Sequence, residues 1–207
     1  MDIGRFLEGF LLLAPGFLLG ITFHELAHGL AADRLGDPTP RAAGRLTLNP
    51  LKHLDPIGVI AFLVMKIGWA RPVPVNDRFF SHPRRDLFLV AGAGIAANLL
   101  LAVASGIIAR SLALFHGTLP PAVLYPALKI LAASVWINVM LAVFNLLPVP
   151  PLDGAKLVAS LLPERMARIF SRLDPFGFLI LLLLFYAGVI EQIILPLIQA
   201  ANTLILG

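Results

Sequence analysis

Three ionisable residues, His24, Glu25 and His28, stand within five positions of the stretch LLGITFHELAHGLAADRLGDP, residues 18–38, whose first half is apolar enough for a lipid bilayer. On a helix, His24 and His28 project from one face one turn apart, so their imidazoles can share one metal ion. Glu25 lies beside them, able to take a proton from a metal-activated water. This His-Glu-x-x-His arrangement is that of zinc hydrolases. The plain alternative is a chance match, or histidines hydrogen-bonded between helices. It is weakened by the setting, because an ionisable side chain at the centre of a membrane helix costs about 3 kcal/mol on insertion scales. Groups at that depth are functional by default.

A catalytic zinc takes a third protein ligand and keeps one position open. The extended pattern with a histidine six residues after His28 fails, because Arg34 stands there. His53, Asp55, His82, Asp153 and Asp174 remain. Asp55 and Asp174 lie in the phrases LDPIG (54–58) and LDPFG (173–177), where Asp followed by Pro reads as a helix cap and first turn. His53 and His82 sit in basic loops and are expected to be solvated. Asp153 belongs to NLLPVPPLDGAKL, residues 145–157, where three prolines stiffen the backbone and Gly154 permits a sharp turn. Asp153 either caps a helix starting near Ala155 or serves the histidines. Ser134, Asn138 and Asn145 share one helix face, for interhelical hydrogen bonding or, at Asn145, for holding a substrate carbonyl. Gly94, Asn98, Ala102 and Ser105 form a small-residue stripe suited to close helix packing. Asn98 is also a candidate for substrate contact.

The elements that must position these residues are apolar. Of 207 residues, 58% are hydrophobic and 14% charged, against about a quarter charged in soluble domains. The mean hydropathy is +0.89. These values predict one integral-membrane domain over 1–207. Runs long enough to span the bilayer are expected over Phe6–Ala32, with a kink at Pro15-Gly16, over Leu87–Ala109, over Ile130–Leu147, and from near Phe176, the last as one helix or two. Ile57–Gly68 is too short to span and reads as re-entrant. Leu112–Leu128 reads as a loop with short helical pieces. The N-terminus lacks a signal-peptide pattern and is expected to begin a retained helix. There is no cysteine, so no thiolate site.

The net charge is +4. Arg34, Arg41, Arg45, Lys52, Arg71, Arg78, Arg84, Arg85, Lys156, Arg165, Arg168 and Arg172, 12 of the 16 cations, fall in three segments, 33–55, 70–86 and 153–175. Four spans put all three on one side. The positive-inside rule makes that side cytoplasmic, with both termini outside, and leaves no need for a nucleic-acid partner. His24 and His28 lie in the inner half of the first span, and the third span delivers Asp153 to the same side.

The sequence resembles the site-2 protease family, zinc metalloproteases that cut within the membrane. FHELAH (23–28) and NLLPVPPLDG (145–154) carry the resemblance, with GWARPVPVN (68–76) and AGAGIAANLL (91–100) similar to the family's loop and second-helix motifs. Ile95 stands where the family commonly has proline. The resemblance covers about 15–165 and implies one Zn²⁺ held by His24, His28 and Asp153, with Glu25 as general base. It implies a minimal member without PDZ or CBS domains, in a prokaryotic inner or plasma membrane, acting on single-span or other membrane-protein substrates in the bilayer. The fold expected is all-α and polytopic, with about four transmembrane helices, a re-entrant segment and a small membrane-associated β-hairpin. GRLTLN (44–49) alternates as a strand would, and Val73 and Val75 in RPVPV would form its edge, offered to an extended substrate; an interfacial loop anchored by Trp69 is the alternative. Oligomeric state is not legible. The rival function is a membrane metal transporter, or a metal-binding membrane protein that does not cleave. A transporter predicts ligands spread over several helices near the midplane and repeated halves, neither of which is visible.

Overall fold

A computed structural model describes residues 3–59 and 69–207. The first helix, α1 (Ile3–Arg34), is a continuous, mostly apolar helix with Pro15 inside it. Gly16 serves contact between helices: a Cβ there would lie 2.7 Å from the Ser134 Cα. α2 (Pro83–Ala113) exceeds the expected span by four residues at each end. Its start is fixed by Pro83, which suits a first turn, and by the Asp86 carboxylate, which accepts the His82 N–H at 3.0 Å. α3 (Pro121–Asn145) begins nine residues before the expected Ile130. Proline in the first turn costs no hydrogen bond, so Pro121 opens the helix. The expected loop shrinks to 114–120.

α1, α2 and α3 pack on one another as a three-helix body. Among the described residues, four helical stretches are long and apolar enough to cross a membrane: Gly9–Arg34, Pro83–Ala113, Pro121–Asn145 and Glu164–Tyr186. The fourth is composite. α5 (Glu164–Phe170) follows the short α4 (Asp153–Leu161), passes through a 3-10 segment, Ser171–Phe176, and continues as α6 (Gly177–Tyr186). A turn at Ala187-Gly188, where Gly188 has φ +74°, then breaks the chain direction. After a π-turn, α7 (Leu195–Leu206) lies against α2 and α3. Ile194 and Ile198 join Ala102, Val135 and Val139 in the core. The C-terminal run is therefore two helical segments.

The two LDPxG phrases differ. Asp55 Oδ1 accepts the Gly58 N–H at 2.8 Å, as a cap does. Asp174 lies within the 3-10 segment, and α6 starts without a side-chain cap. Residues 56–59 are helical, while 60–68, most of the expected re-entrant segment, lie outside the described residues.

The expected β-hairpin is not formed: among the described residues there is no sheet, only a single antiparallel bridge between Leu54 and Ala70. The backbone groups are satisfied otherwise. The Arg45 N–H bonds the Pro40 carbonyl and the Thr47 N–H that of Arg45, which curls 44–49 into turns. Pro72 and Pro74 have no N–H to offer a ladder. Arg45 donates through Nη1 to the Pro72 carbonyl at 3.0 Å and through Nη2 to that of Arg71. The segment 71–75 is thus an irregular loop held largely by side chains.

Candidate active site

His24, His28 and Asp153 converge, though 125 residues separate His28 from Asp153. Asp153 Oδ2 is 3.1 Å from His24 Nε2 and 2.9 Å from His28 Nε2, and the two Nε2 atoms are 3.0 Å apart. All three side chains are buried.

The other nitrogen of each ring decides what this triangle is. His28 Nδ1 is 2.7 Å from the Val90 carbonyl, which can only accept. His24 Nδ1 is 2.7 Å from Asn98 Oδ1. The Asn98 orientation is set by its Nδ2, which donates to the Gly20 carbonyl at 3.1 Å and to Asn138 Oδ1 at 2.9 Å. Asn138 is oriented in turn by its donation to the Ser134 carbonyl. Both rings therefore carry their proton on Nδ1 and present the Nε2 lone pair to the centre. Two imine lone pairs and a carboxylate oxygen meeting within 3.1 Å repel one another unless a cation lies among them. Tetrahedral zinc with bonds of about 2.0–2.1 Å sets its ligand atoms about 3.3 Å apart. The observed triangle has that shape, a few tenths of an ångström tighter, and the donor set of two imidazoles and one carboxylate suits zinc.

Two glycines make the convergence possible. A Cβ on Gly94 would lie 2.4 Å from His28 Nε2 and 2.8 Å from His24 Cε1, so both rings rest on the space where α2 lacks a side chain. Gly154 plays a part other than the sharp turn expected. It is helical, and a Cβ there would lie 2.3 Å from the Leu146 carbonyl oxygen and 2.4 Å from that of Leu147. Its absent side chain lets α4 begin hard against the end of α3. That places Asp153, the first residue of α4, beneath the histidines.

Glu25 is buried, and its Oε2 accepts the Val73 N–H at 2.7 Å. Between Pro72 and Pro74, that amide is the donor the loop presents to the site. Glu25, His24, His28 and Asp153 line one cleft of about 430 Å³, shared with Val73, Val75, Asn145 and Lys156. Asn145 Nδ2 donates to the Leu141 carbonyl at 2.9 Å, which leaves its second amide hydrogen. Asn98 is fully buried, and its bonds run to His24, Gly20 and Asn138. Its place in the structure is behind His24, away from the cleft.

The other acids and histidines weighed as ligands lie elsewhere. His53 is not solvated but fully buried, with Nε2 2.8 Å from the Thr47 carbonyl, and His82 is the exposed residue before α2. Asp37, Arg45 and Lys156 escaped sequence reasoning. Asp37 is fully buried and joins the Thr39 N–H to the Asn76 N–H. Arg45 and Lys156 were legible only as cations on a topological side; the buried position of Arg45 depends on a loop path that no local pattern encodes.

The sequence profile of Peptidase family M50 matches residues 120–188. The chain is 40% identical over 200 residues to the Bacillus subtilis (strain 168) protein named "Putative zinc metalloprotease YwhC", covering 91% of this chain and 86% of that one. It is 31% identical over 183 residues to "Putative zinc metalloprotease Rip2" of Mycolicibacterium smegmatis, covering 84% of this chain and 66% of that one. A Rip2 of the same name from Mycobacterium tuberculosis (strain H37Rv) is 32% identical over 185 residues, 86% and 68% of the two chains. No solved structure matches the chain. The profile match, the breadth of the YwhC relationship and the meeting of His24, His28 and Asp153 agree: the chain belongs to peptidase family M50, the site-2 proteases.

Proposed function

We propose that this protein is an intramembrane zinc metalloprotease that hydrolyses peptide bonds in or near the transmembrane segments of other membrane proteins. The observation that carries the reading is the meeting of three unprotonated donor atoms, from α1 and α4, with a carboxylate on the same cleft wall. His24, His28 and Asp153 hold the metal, and Asn98 and the Val90 carbonyl keep both rings turned toward it. Zinc, when bound, supplies the Lewis acidity that polarises an amide carbonyl and activates water. Glu25 takes the proton of that water and passes it to the leaving amine. The Val73 N–H holds Oε2, which leaves Oε1 for the transfer. Val73, Val75 and Asn145 line the cleft where an extended substrate segment would lie. A substrate helix must unwind there first, because its carbonyls are engaged in its own hydrogen bonds.

The site faces the cytoplasmic side, and both termini lie outside, on the strength of the cation distribution. The bacterial sources of the relatives fit a prokaryotic plasma membrane.

Incubation of purified protein with a panel of single-span substrates tests the reading. Cleavage should depend on zinc, stop on chelation and return on readdition. Asp153→Ala should lower zinc content sharply while the protein stays folded in detergent, because two imidazoles under-coordinate the metal. Cleavage that persists after zinc is stripped, or stoichiometric zinc in Asp153→Ala, overturns it. Metal flux without proteolysis would favour the transporter.

A further inference from the structure

Asp153 divides its two oxygens. Oδ2 faces both imidazoles, while Oδ1 receives the Lys156 ammonium at 3.0 Å. Lys156 stands three residues along α4, on the same face, so the helix aligns the pair. The Asp153 side chain is 6% exposed and that of Lys156 51%. An exposed ion pair of this spacing contributes well under 1 kcal/mol and constrains little. Here one partner is buried and its position is fixed by Gly154 against the carbonyls of Leu146 and Leu147. Lys156 also lines the cleft beside the two histidines.

A carboxylate can bind a metal through one oxygen or through both. With two histidines and a water already present, the second mode would add a fifth donor and crowd the position that a catalytic zinc keeps for water and substrate. A cation on Oδ1 opposes that mode in two ways. It occupies the lone pairs of the second oxygen, and it draws charge away from the carboxylate.

We infer that Lys156 is a positioning residue that holds Asp153 to one-oxygen ligation and so keeps the fourth coordination position free for water and substrate. This rests on the metalloprotease reading and adds to it a cause for the open site. Lys156 touches neither the metal nor Glu25; it acts through Asp153 Oδ1.

The test uses full-length protein in detergent loaded with Co²⁺, whose visible absorption distinguishes four from five ligands, and with Zn²⁺ for X-ray absorption. Wild type should show the stronger bands of a four-coordinate ion. Lys156→Met keeps the length of the stem and removes the charge. It should retain stoichiometric metal, shift to the weaker five-coordinate spectrum, and lose at least tenfold in turnover. Lys156→Arg should restore the four-coordinate spectrum, which a purely structural role for the stem would not require. A Lys156→Met protein with the wild-type spectrum, or one that loses the metal altogether, overturns the inference and leaves the protease reading standing. Wild type that takes up no Co²⁺ or Zn²⁺ overturns both.

Discussion

At the scale of the residue, the proposed roles of His24 and Glu25 separate holding from reacting. Glu25 lies between the two histidines in sequence, yet its carboxylate oxygen is engaged with the Val73 N–H instead of the triangle. Glu25→Gln keeps the shape of the side chain and removes its capacity to accept the proton. Zinc content should stay at the wild-type level, because the ligand set is intact. Turnover of a single-span substrate should fall by about 10²–10⁴-fold or more. Near wild-type cleavage with zinc present would remove the general-base role. His24, Glu25 and His28 stood out in the sequence by type and spacing, whereas spacing left Asp153 between a helix cap and a partner of the histidines, and the family resemblance alone implied its ligand role. Asn98 was read as part of a packing stripe and as a candidate for substrate contact, not as a partner of His24. Its bond to His24 depends on the register of α2 against α1, which neither helix encodes alone.

At the scale of the element, the loop 71–76 shows why alternation does not suffice to make a strand. Its backbone is claimed piece by piece: the Arg71 N–H by the His53 carbonyl, the Val73 N–H by Glu25, and the Asn76 N–H by Asp37. The prolines between them prevent a ladder. Helices were read more faithfully than their limits, since hydropathy marks the apolar centre of a span and the proline caps lie outside it. Arg45, which grips the carbonyls of Arg71 and Pro72, should govern how firmly this loop holds Glu25. Hydrogen bonds to a charged group contribute about 1.5–3 kcal/mol. Arg45→Leu should therefore lower turnover by about tenfold to a hundredfold. Zinc content should be unchanged, and amide hydrogen exchange should speed up at 71–76. Unaltered exchange there would show that the loop stands without the arginine.

At the scale of the whole molecule, burial and charge count give different accounts of the cations. Arg41 pairs with Asp33, Arg45 holds the carbonyls of Arg71 and Pro72, Arg84 those of Ser160 and Leu162, and Lys156 is engaged with Asp153, so at least four of the 12 clustered cations have structural partners as well as a side. The topology they imply is unchanged by this, because orientation depends on where a cation is delivered and not on what it then binds. Single cysteines report cleanly in a chain that has none. Thr39→Cys and Glu164→Cys should both be labelled by a membrane-impermeant reagent from the cytoplasmic face alone. Labelling from opposite faces would sink the arrangement.

The separation of 125 residues between His28 and Asp153 has a mechanical consequence. A shared ion ties two distant points of the chain, and the tie encloses all of α2 and α3 together with the loop that holds Glu25. In a protein without disulfides, it is a removable cross-link. In water, a covalent link closing a loop of about 100 residues is worth about 4–5 kcal/mol in chain entropy. Helices already confined to a bilayer have less freedom to lose, so the effect here is smaller. A ligand at 100 times its dissociation constant still stabilises the fold by about 2.7 kcal/mol. Stripping the metal should thus lower the melting temperature of the detergent-solubilised protein, and readdition should restore it. Asp153→Ala, with one anchor gone, should melt at the same temperature with or without zinc.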